Sequence, residues 1–409
     1  MESHSMSQSH NRTGQGPLTN ITVLDLTRVL SGPYCTMMLS DMGARVIKVE
    51  QPGRGDETRA WGPPFQNGES TYFLSTNRNK ESVTINFKHP DGYRLLEALI
   101  ERSDVIVENF RPGTLDRLNL GYTHLANRFP RLIYCSISGY GQTGPKRSQP
   151  GYDAVTQAEG GLMSITGPED GPPYRLGVAI SDIVSGMFAA YGIVTSLLSR
   201  GQTGHGQLVD ISMLDSVAAL LTYQAGIYFG TGKTPRRMGN RHPSIVPYQS
   251  FETADADIVI AVGNDTLWRR FCDVLKLSDI ADNPRFATNQ ARVVNHTDLC
   301  TILTETLKKR PRQAWLDELA QVGVPCGAVR NLEQVLTDPQ LIEREMIALL
   351  DHPVAGALNV LGVPVKLSQS PGSVRTPPPL LGEHTTRVLA EDLGLGTEEI
   401  ERLKKDGAI

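Results

Sequence analysis

The chain has 409 residues, of which 39% are hydrophobic and 21% charged, and a formal net charge of −4. This is ordinary globular composition with room for two or three domains, and it supplies no net field to draw the protein onto nucleic acid or an anionic membrane. The five cysteines (Cys35, Cys135, Cys272, Cys300 and Cys326) are odd in number and scattered without a C-x-x-C pair, which gives no sign of a disulfide framework and fits a reducing, cytoplasmic setting.

Residues 1–18 are rich in Ser, His, Gln, Asn and Gly, lack an apolar run and read as a disordered tail with no secretory signal. Residues 21–26 form a strand-like run, Tyr34 to Met42 reads as a helix closed by Gly43, and Ala44 to Glu50 is a second strand, which together make a βαβ unit. The alternation continues with a strand at Ser82 to Phe87, a helix at Asp91 to Arg102, and strands at Asp104 to Glu108 and Leu132 to Ser138. A parallel or mixed sheet with right-handed crossovers and helices on both faces is expected, so the fold class is α/β. A Gly-, Pro- and Ser-rich stretch, Arg147 to Gly171, leads to a long apolar helix after Asp182, then to a strand at Gln207 to Ser212 and a helix at Met213 to Tyr228. The apolar run from Ile183 to Leu198 is interrupted by small polar residues and is short for a bilayer, so it is expected to be a core helix and not a membrane span.

Composition shifts after Gly230. Gly232 to Pro243 is a basic, turn-rich linker, followed by a hairpin-like pair, Tyr248 to Glu252 and Ile258 to Val262. Helical patterns at Thr266 to Leu275, Asp298 to Lys308 and Arg312 to Val322 follow, and Val324 to Val329 reads as a turn back towards the first domain. The expected organisation is a large Rossmann-like doubly wound α/β domain over 19–228, a linker or lid loop over 229–247, a smaller α+β domain over 248–330, and a segment over 331–409 that returns to the large domain.

Asp182 stands at the expected start of the long helix, where free backbone N–H groups and the helix dipole favour an ionised carboxylate. Such a group can act as a nucleophile towards an electrophilic carbonyl, and it can equally be a plain N-cap. Three further segments stand out. Residues 26–33 join the first strand to its helix without the glycines of a G-x-G-x-x-G fingerprint, which argues against a nicotinamide cofactor. Residues 77–88 carry three cations into and along a strand, and residues 108–118 leave a strand end, where open α/β sheets bind ligands.

Together with Asp182, these segments resemble the class III coenzyme A transferase family, whose members include formyl-CoA and carnitine CoA-transferases. The resemblance runs from about Leu18 to the Pro378–Thr385 stretch. It implies that Asp182 attacks a donor thioester to give an acyl-aspartyl anhydride, which the released CoA converts into an aspartyl-CoA thioester for transfer to an acceptor acid. It also implies that Leu30 and Ser31 line the pantetheine end, that Gln51 stands where the formyl-CoA member has Arg, and that Pro150 stands where it has Lys. Ile85, Asn86, Phe87, Lys88, Asn109, Phe110, Arg111 and Arg117 match segments that hold the nucleotide, while Pro150, Gly151, Tyr152 and Asp153 match the loop beside the catalytic acid. Trp61 matches a family tryptophan near the active site and reads equally well as a structural ring. Coenzyme A is then a substrate moiety, with no tightly bound cofactor, and the histidines show no metal-ligand spacing, so no metal is expected.

Gly239, Asn240, Arg241 and His242 fall where some members carry a glycine-rich closing loop. Arg241 and His242 there suggest a cation for a second carboxylate, hence dicarboxylate substrates, against the reading of a solvated basic linker. Succinyl-CoA with a C4 or C5 acid such as malate, citramalate, glutarate or itaconate is the expected pair. Two rivals remain. An α-methylacyl-CoA racemase is similar over much of the length but needs a His partner base, where this chain has Tyr152 with an ordinary phenol pKa near 10. A non-catalytic acyl-CoA binding protein is the other. The resemblance further implies an interlocked homodimer, while the charge balance gives no reason to expect a nucleic-acid or membrane partner.

Overall fold

Strands that are buried at nearly every position belong to sheets covered on both faces, and the first unit of the chain is built on one. A computed structural model describes residues 16–409. Contacts divide it into two units, one of residues 16–161, 176–222 and 339–409, the other of 162–175 and 223–338. The stretch 162–175, placed with the large domain on sequence pattern, thus groups with the second unit. Of the expected tail, residues 1–15 lie outside the described residues. Leu18 is ordered: it packs against the core of the sheet and donates its N–H to the Met42 carbonyl (3.0 Å).

In the first unit, β1 (Thr22–Asp25), β2 (Arg45–Glu50), β3 (Lys80–Thr84), β4 (Val105–Glu108), β5 (Ile133–Ser138) and β6 (Leu208–Ser212) form a six-stranded parallel sheet in the order β3-β2-β1-β4-β5-β6. This is the 3-2-1-4-5-6 order of doubly wound sheets. Alternation along each strand sends Leu24, Ile47 and Ile106 to one layer and Val23, Val46, Val105 and Ile133 to the other. The first layer is closed by α2 (Pro90–Glu101) through Leu95, Leu96 and Leu99, and by the C-terminal helices Thr385–Leu393 and Thr397–Lys405 through Val388, Ile400 and Leu403. The second is closed by α1 (Ser31–Asp41) and α4 (Ile180–Thr203), with α3 (Asp153–Glu159) packed on α4. Gly186 permits this pairing, since a Cβ there would stand 2.6 Å from the Ser31 carbonyl oxygen.

The single helix expected over 213–228 divides into Met213–Ala219 and Thr222–Thr231, with Thr222 at φ 35° between them. A hairpin of Ile347–His352 and Gly356–Leu361, with no counterpart in the sequence reading, covers Leu74.

The second unit is α+β. Its antiparallel sheet comprises β7 (Tyr248–Glu252), β8 (Asp257–Ala261) and β9 (Cys326–Ala328), with β8 central. The helices α5 (Asp265–Leu275), α6 (His296–Leu307) and α7 (Arg312–Gln321) pack on it through Trp268, Phe271, Leu299, Leu303 and Trp315. The expected turn over Val324 to Val329 is therefore in part a third strand.

Candidate active site

Doubly wound sheets bind ligands outside the carboxyl ends of the strands where the order reverses, here between β1 and β4. Asn109, just past β4, spans that gap: its Oδ1 accepts from the Arg28 N–H (2.9 Å) and its Nδ2 donates to the Arg28 carbonyl (2.7 Å). Beneath the same loop lies a buried ionic network. Asp25, fully buried, accepts from the Thr27 N–H and the hydroxyls of Thr27 and Thr36, and pairs with Lys80 (3.2 Å). Burial would raise its pKa, yet Lys80, Lys48 and these hydrogen bonds hold it down to about 2. Lys48 donates to the Thr27 carbonyl (2.8 Å) and pairs with Asp56 (3.0 Å), whose other oxygen accepts from the Val29 N–H (3.3 Å). Val29 is held at φ 68°, a left-handed conformation costly for a β-branched residue, and this turn delivers Ser31 to the first position of α1.

Ser31 lines the same cleft as Asp182, and its hydroxyl favours the ionised form of that carboxyl. Helix α4 begins at Ile180 with Ala179 as its N-cap, so Asp182 lies within the first turn and is not the cap the sequence suggested. The carboxyl is half-buried in a cleft of about 160 Å3. Its pKa is raised to about 7, chiefly by burial and then by the charge of Asp153, against the Ser31 hydrogen bond. The preference of the helix start for the ionised form is therefore not the dominant effect at this carboxyl. Loss of water and a like charge outweigh a dipole effect of typically 0.3–1 kcal/mol.

Ser31, Asn109, Phe110, Arg111, Pro150, Gly151 and Tyr152 line the cleft with Asp182. Gly151 has no room for a side chain, because a Cβ would lie 2.4 Å from Gly139 Cα. Asp153 is engaged elsewhere: its carboxylate accepts from the Ser181 N–H (3.0 Å), the Ser181 hydroxyl (2.8 Å) and Gln157 Nε2 (2.8 Å). It ties α3 to the first turn of α4 and places a negative charge near Asp182. The remaining predicted contacts lie outside the cleft lining. Leu30 precedes α1, Gln51 is exposed at the end of β2, and Lys88 and Arg117 are exposed. Ile85 is a core residue with no exposed surface, and its N–H already donates to the Glu50 carbonyl (2.9 Å), so the expected ligand contact there is not met. The Asn86 amide donates to the Gly407 carbonyl (3.2 Å), and Phe87 meets Phe110 edge-on at 6.4 Å.

In the second unit, Asn240 and Arg241 line a separate cavity, and the Gly239 N–H donates to the Gly167 carbonyl (3.1 Å). His242 contacts the tilted rings of Tyr223 and Tyr248, with centroids 5.2 and 5.3 Å away, and its Nδ1 accepts from the Ser244 N–H (3.0 Å). These contacts hold the imidazole in place within the loop.

Several residues escaped the sequence reading. Tyr72, edge-on to Trp61 at 5.1 Å, has a phenol pushed up to about 12 by burial and then by the charges of Asp182 and Asp153, which sets it close to the carboxyl pair. Arg28 lines the cleft, pairs with Glu57 and lies over the Phe110 ring at 5.3 Å. Glu108, at the end of β4, accepts from the Phe110 N–H (2.8 Å), and burial raises its pKa to about 7. Among the described residues, no group of three or more His, Cys, Asp or Glu gathers as metal ligands.

Comparison with known proteins follows this geometry. The model of CoA-transferase family III matches residues 18–385. A succinyl-CoA:glutarate CoA-transferase of Mus musculus is 45% identical over 96% of this chain and 90% of that protein. A succinate--glutarate CoA-transferase of Agrobacterium fabrum is 42% identical over 94% of this chain and 97% of its own length. The crystal structure of a CAIB/BAIF family protein from Brucella suis superimposes with a TM-score of 0.83 at 40% identity, covering 92% of this chain and all of that one. With Asp182 in a cleft at the switch point of a parallel sheet, and a match spanning nearly every described residue, the chain belongs to CoA-transferase family III.

Proposed function

We propose that the protein moves coenzyme A from succinyl-CoA to a C4 or C5 dicarboxylic acid, glutarate being the first to test, with Asp182 as the nucleophile. The names of the relatives support the acids, and the environment of Asp182 supports the chemistry. The ionised carboxylate attacks the thioester carbonyl, forming a succinyl-aspartyl anhydride and releasing the CoA thiolate. The thiolate attacks the aspartyl carbonyl, leaving an aspartyl-CoA thioester and free succinate. The acceptor carboxylate attacks that thioester, and the thiolate then attacks the acceptor carbonyl of the new anhydride, regenerating the Asp182 carboxylate. No proton is consumed overall.

The observation that carries this reading is the place of Asp182, in the first turn of α4 and lining the cleft at the switch point of the sheet, where burial and the Asp153 charge raise its pKa. Burial and the Asp153 charge disfavour the free carboxylate, whereas both covalent intermediates are neutral at this position. Acylation therefore relieves a penalty that has an upper limit of about 4 kcal/mol and shrinks with the partial exposure of the group. The hydroxyl of Ser31 orients the carboxylate. Arg28, Arg111 and the backbone beyond β4 supply cations and donors for the nucleotide, with Lys88 and Arg117 as more distant charges. Coenzyme A acts as a substrate moiety, with no resident cofactor.

We further infer a homodimer. On α4, Met187, Phe188, Tyr191, Val194 and Leu198 recur on one face and stay exposed, Tyr191 at 70% and Leu198 at 69%, an apolar strip that water solvates poorly. All five cysteines are free thiols, in keeping with a cytoplasmic protein.

The test is incubation with succinyl-CoA and a panel of mono- and dicarboxylic acids, read by mass spectrometry. New dicarboxylyl-CoA species support transfer. Exchange of the α-proton of a 2-methylacyl-CoA without acid exchange would instead make the protein a racemase, and CoA binding with neither signal would make it a binding protein.

A further inference from the structure

The second unit contains a cavity of about 670 Å3, within the roughly 300–1,000 Å3 of small-molecule sites, whose lining shares no residue with the cleft at Asp182. One wall is a face of α6, where Thr297, Cys300, Thr301 and Thr304 recur at helical spacing. Opposite them stand Arg241 and Glu169, carried on two loops that are bound to each other. Besides the bond between Gly239 and Gly167, the Arg237 guanidinium donates to the carbonyls of Pro168 (3.3 Å) and Gly171 (2.7 Å). Arg241 thus projects from an anchored segment.

Its guanidinium is under-used. Nη2 donates to Glu169 (2.8 Å), Nη1 meets His296 Nδ1 at a long 3.4 Å, and the Nε–H is buried with no partner at all. A buried donor left unpaired costs about 1–3 kcal/mol, and native proteins leave few of them. His296 offers little compensation. Its Nε2 lies 2.8 Å from Gln249 Oε1, which can only accept, so the ring proton sits on Nε2 and Nδ1 is a neutral acceptor. Burial and then the Arg241 charge lower its pKa and keep it neutral.

An arginine edge with a free Nε–H is one half of the two-donor fork that fits a carboxylate. Glu169 satisfies it with a single bond. Glu169 is also exposed and has a second cation, Arg236 (3.2 Å), so it can release Arg241 without being left unpaired. Replacing one carboxylate by another on Arg241 keeps the guanidinium paired, leaves Glu169 on Arg236 and satisfies one more donor.

We propose that this cavity binds the carboxylate of a small organic acid on Arg241, and that Glu169 is an internal stand-in which the ligand displaces. The choice of a C5 dicarboxylic acid as ligand rests on the function proposed above, whereas the site itself rests on Arg241, Glu169 and the cavity. Titration calorimetry of the full chain with glutarate, in the absence of CoA, tests it. One site is expected, tightened at least threefold by Glu169→Gln, weakened at least tenfold by Arg241→Met, and changed less than twofold by Asp182→Asn. The opposite signs of the first two variants separate competition for Arg241 from misfolding. Absence of glutarate binding in both the unsubstituted protein and Glu169→Gln would overturn the proposal, as would affinity indifferent to Arg241→Met or lost in Asp182→Asn. Failure of the transfer reading is read separately, as thioester exchange that survives Asp182→Asn, and it leaves the titration intact.

Discussion

Replacing Asp182 by Asn is expected to stabilise the protein above neutral pH and to do so progressively less towards acid. The folded-state pKa of Asp182, about 7, lies above the value of about 3.9 in an unfolded chain. The native state therefore holds the proton more tightly. The resulting stability is fully present below about pH 4 and is lost as pH rises through 7, after which the loss is constant. Across that window about 1.4 kcal/mol per pH unit sets an upper limit of about 4 kcal/mol, and the partial exposure of the side chain brings the expected value to about 1–2 kcal/mol. Asn keeps the shape and can still accept from Ser31, but it carries no charge next to Asp153. Thermal unfolding of both proteins from pH 5 to pH 8 measures the effect, at about 1–2 °C per kcal/mol for a chain of this length. The melting-temperature gap in favour of Asp182→Asn should widen by about 1–3 °C from pH 5 to pH 8. A gap that is constant across this range would refute the assignment of a raised pKa to Asp182.

Because only the ionised carboxylate attacks, kcat/KM for succinyl-CoA should rise with pH through about 7. Asp153→Asn removes the like charge and should move that limb to lower pH, as seen in pH–rate profiles of the two proteins; an unmoved limb would leave burial as the sole cause. Gly151→Ala forces a Cβ into Gly139 and should destabilise the protein by about 1–3 kcal/mol with loss of activity, measured by denaturant titration and turnover. Asn109→Ala removes both bonds to Arg28 and frees the loop after β1, so the KM for acyl-CoA should rise about tenfold, while the KM for the acceptor acid should change little.

Much of the large unit can be read from the residues, because the apolar runs around Val23, Val46, Val105 and Ile133 are bounded by turns at the spacing of βαβ units. The strand order cannot, since crossovers leave no local mark. The break at Thr222 carries no Gly or Pro, and the apolar pattern runs on through it. Pro325 and Gly327 disguise β9 as a turn, although antiparallel pairing with β8 overrides their preference. At the site, Asp182 is recognisable through its flanking segments. Its protonation is not, because the charge that raises it belongs to Asp153, 29 positions earlier, and the burial is a property of the folded cleft. Lys48 and Lys80 illustrate the same limit: each lies in a strand with no neighbour in sequence to mark its partner, yet both are buried partners of Asp56 and Asp25 beneath the Val29 turn.

The most direct test of the account is to trap the covalent enzyme. Protein incubated with succinyl-CoA alone, quenched and digested, should yield the peptide bearing Asp182 with the added mass of CoA joined as a thioester. Hydroxylamine should convert that adduct into an aspartyl hydroxamate, and Asp182→Asn should give neither the adduct nor turnover. Thioester exchange at the unsubstituted rate in Asp182→Asn, or a CoA adduct on another peptide, would contradict it.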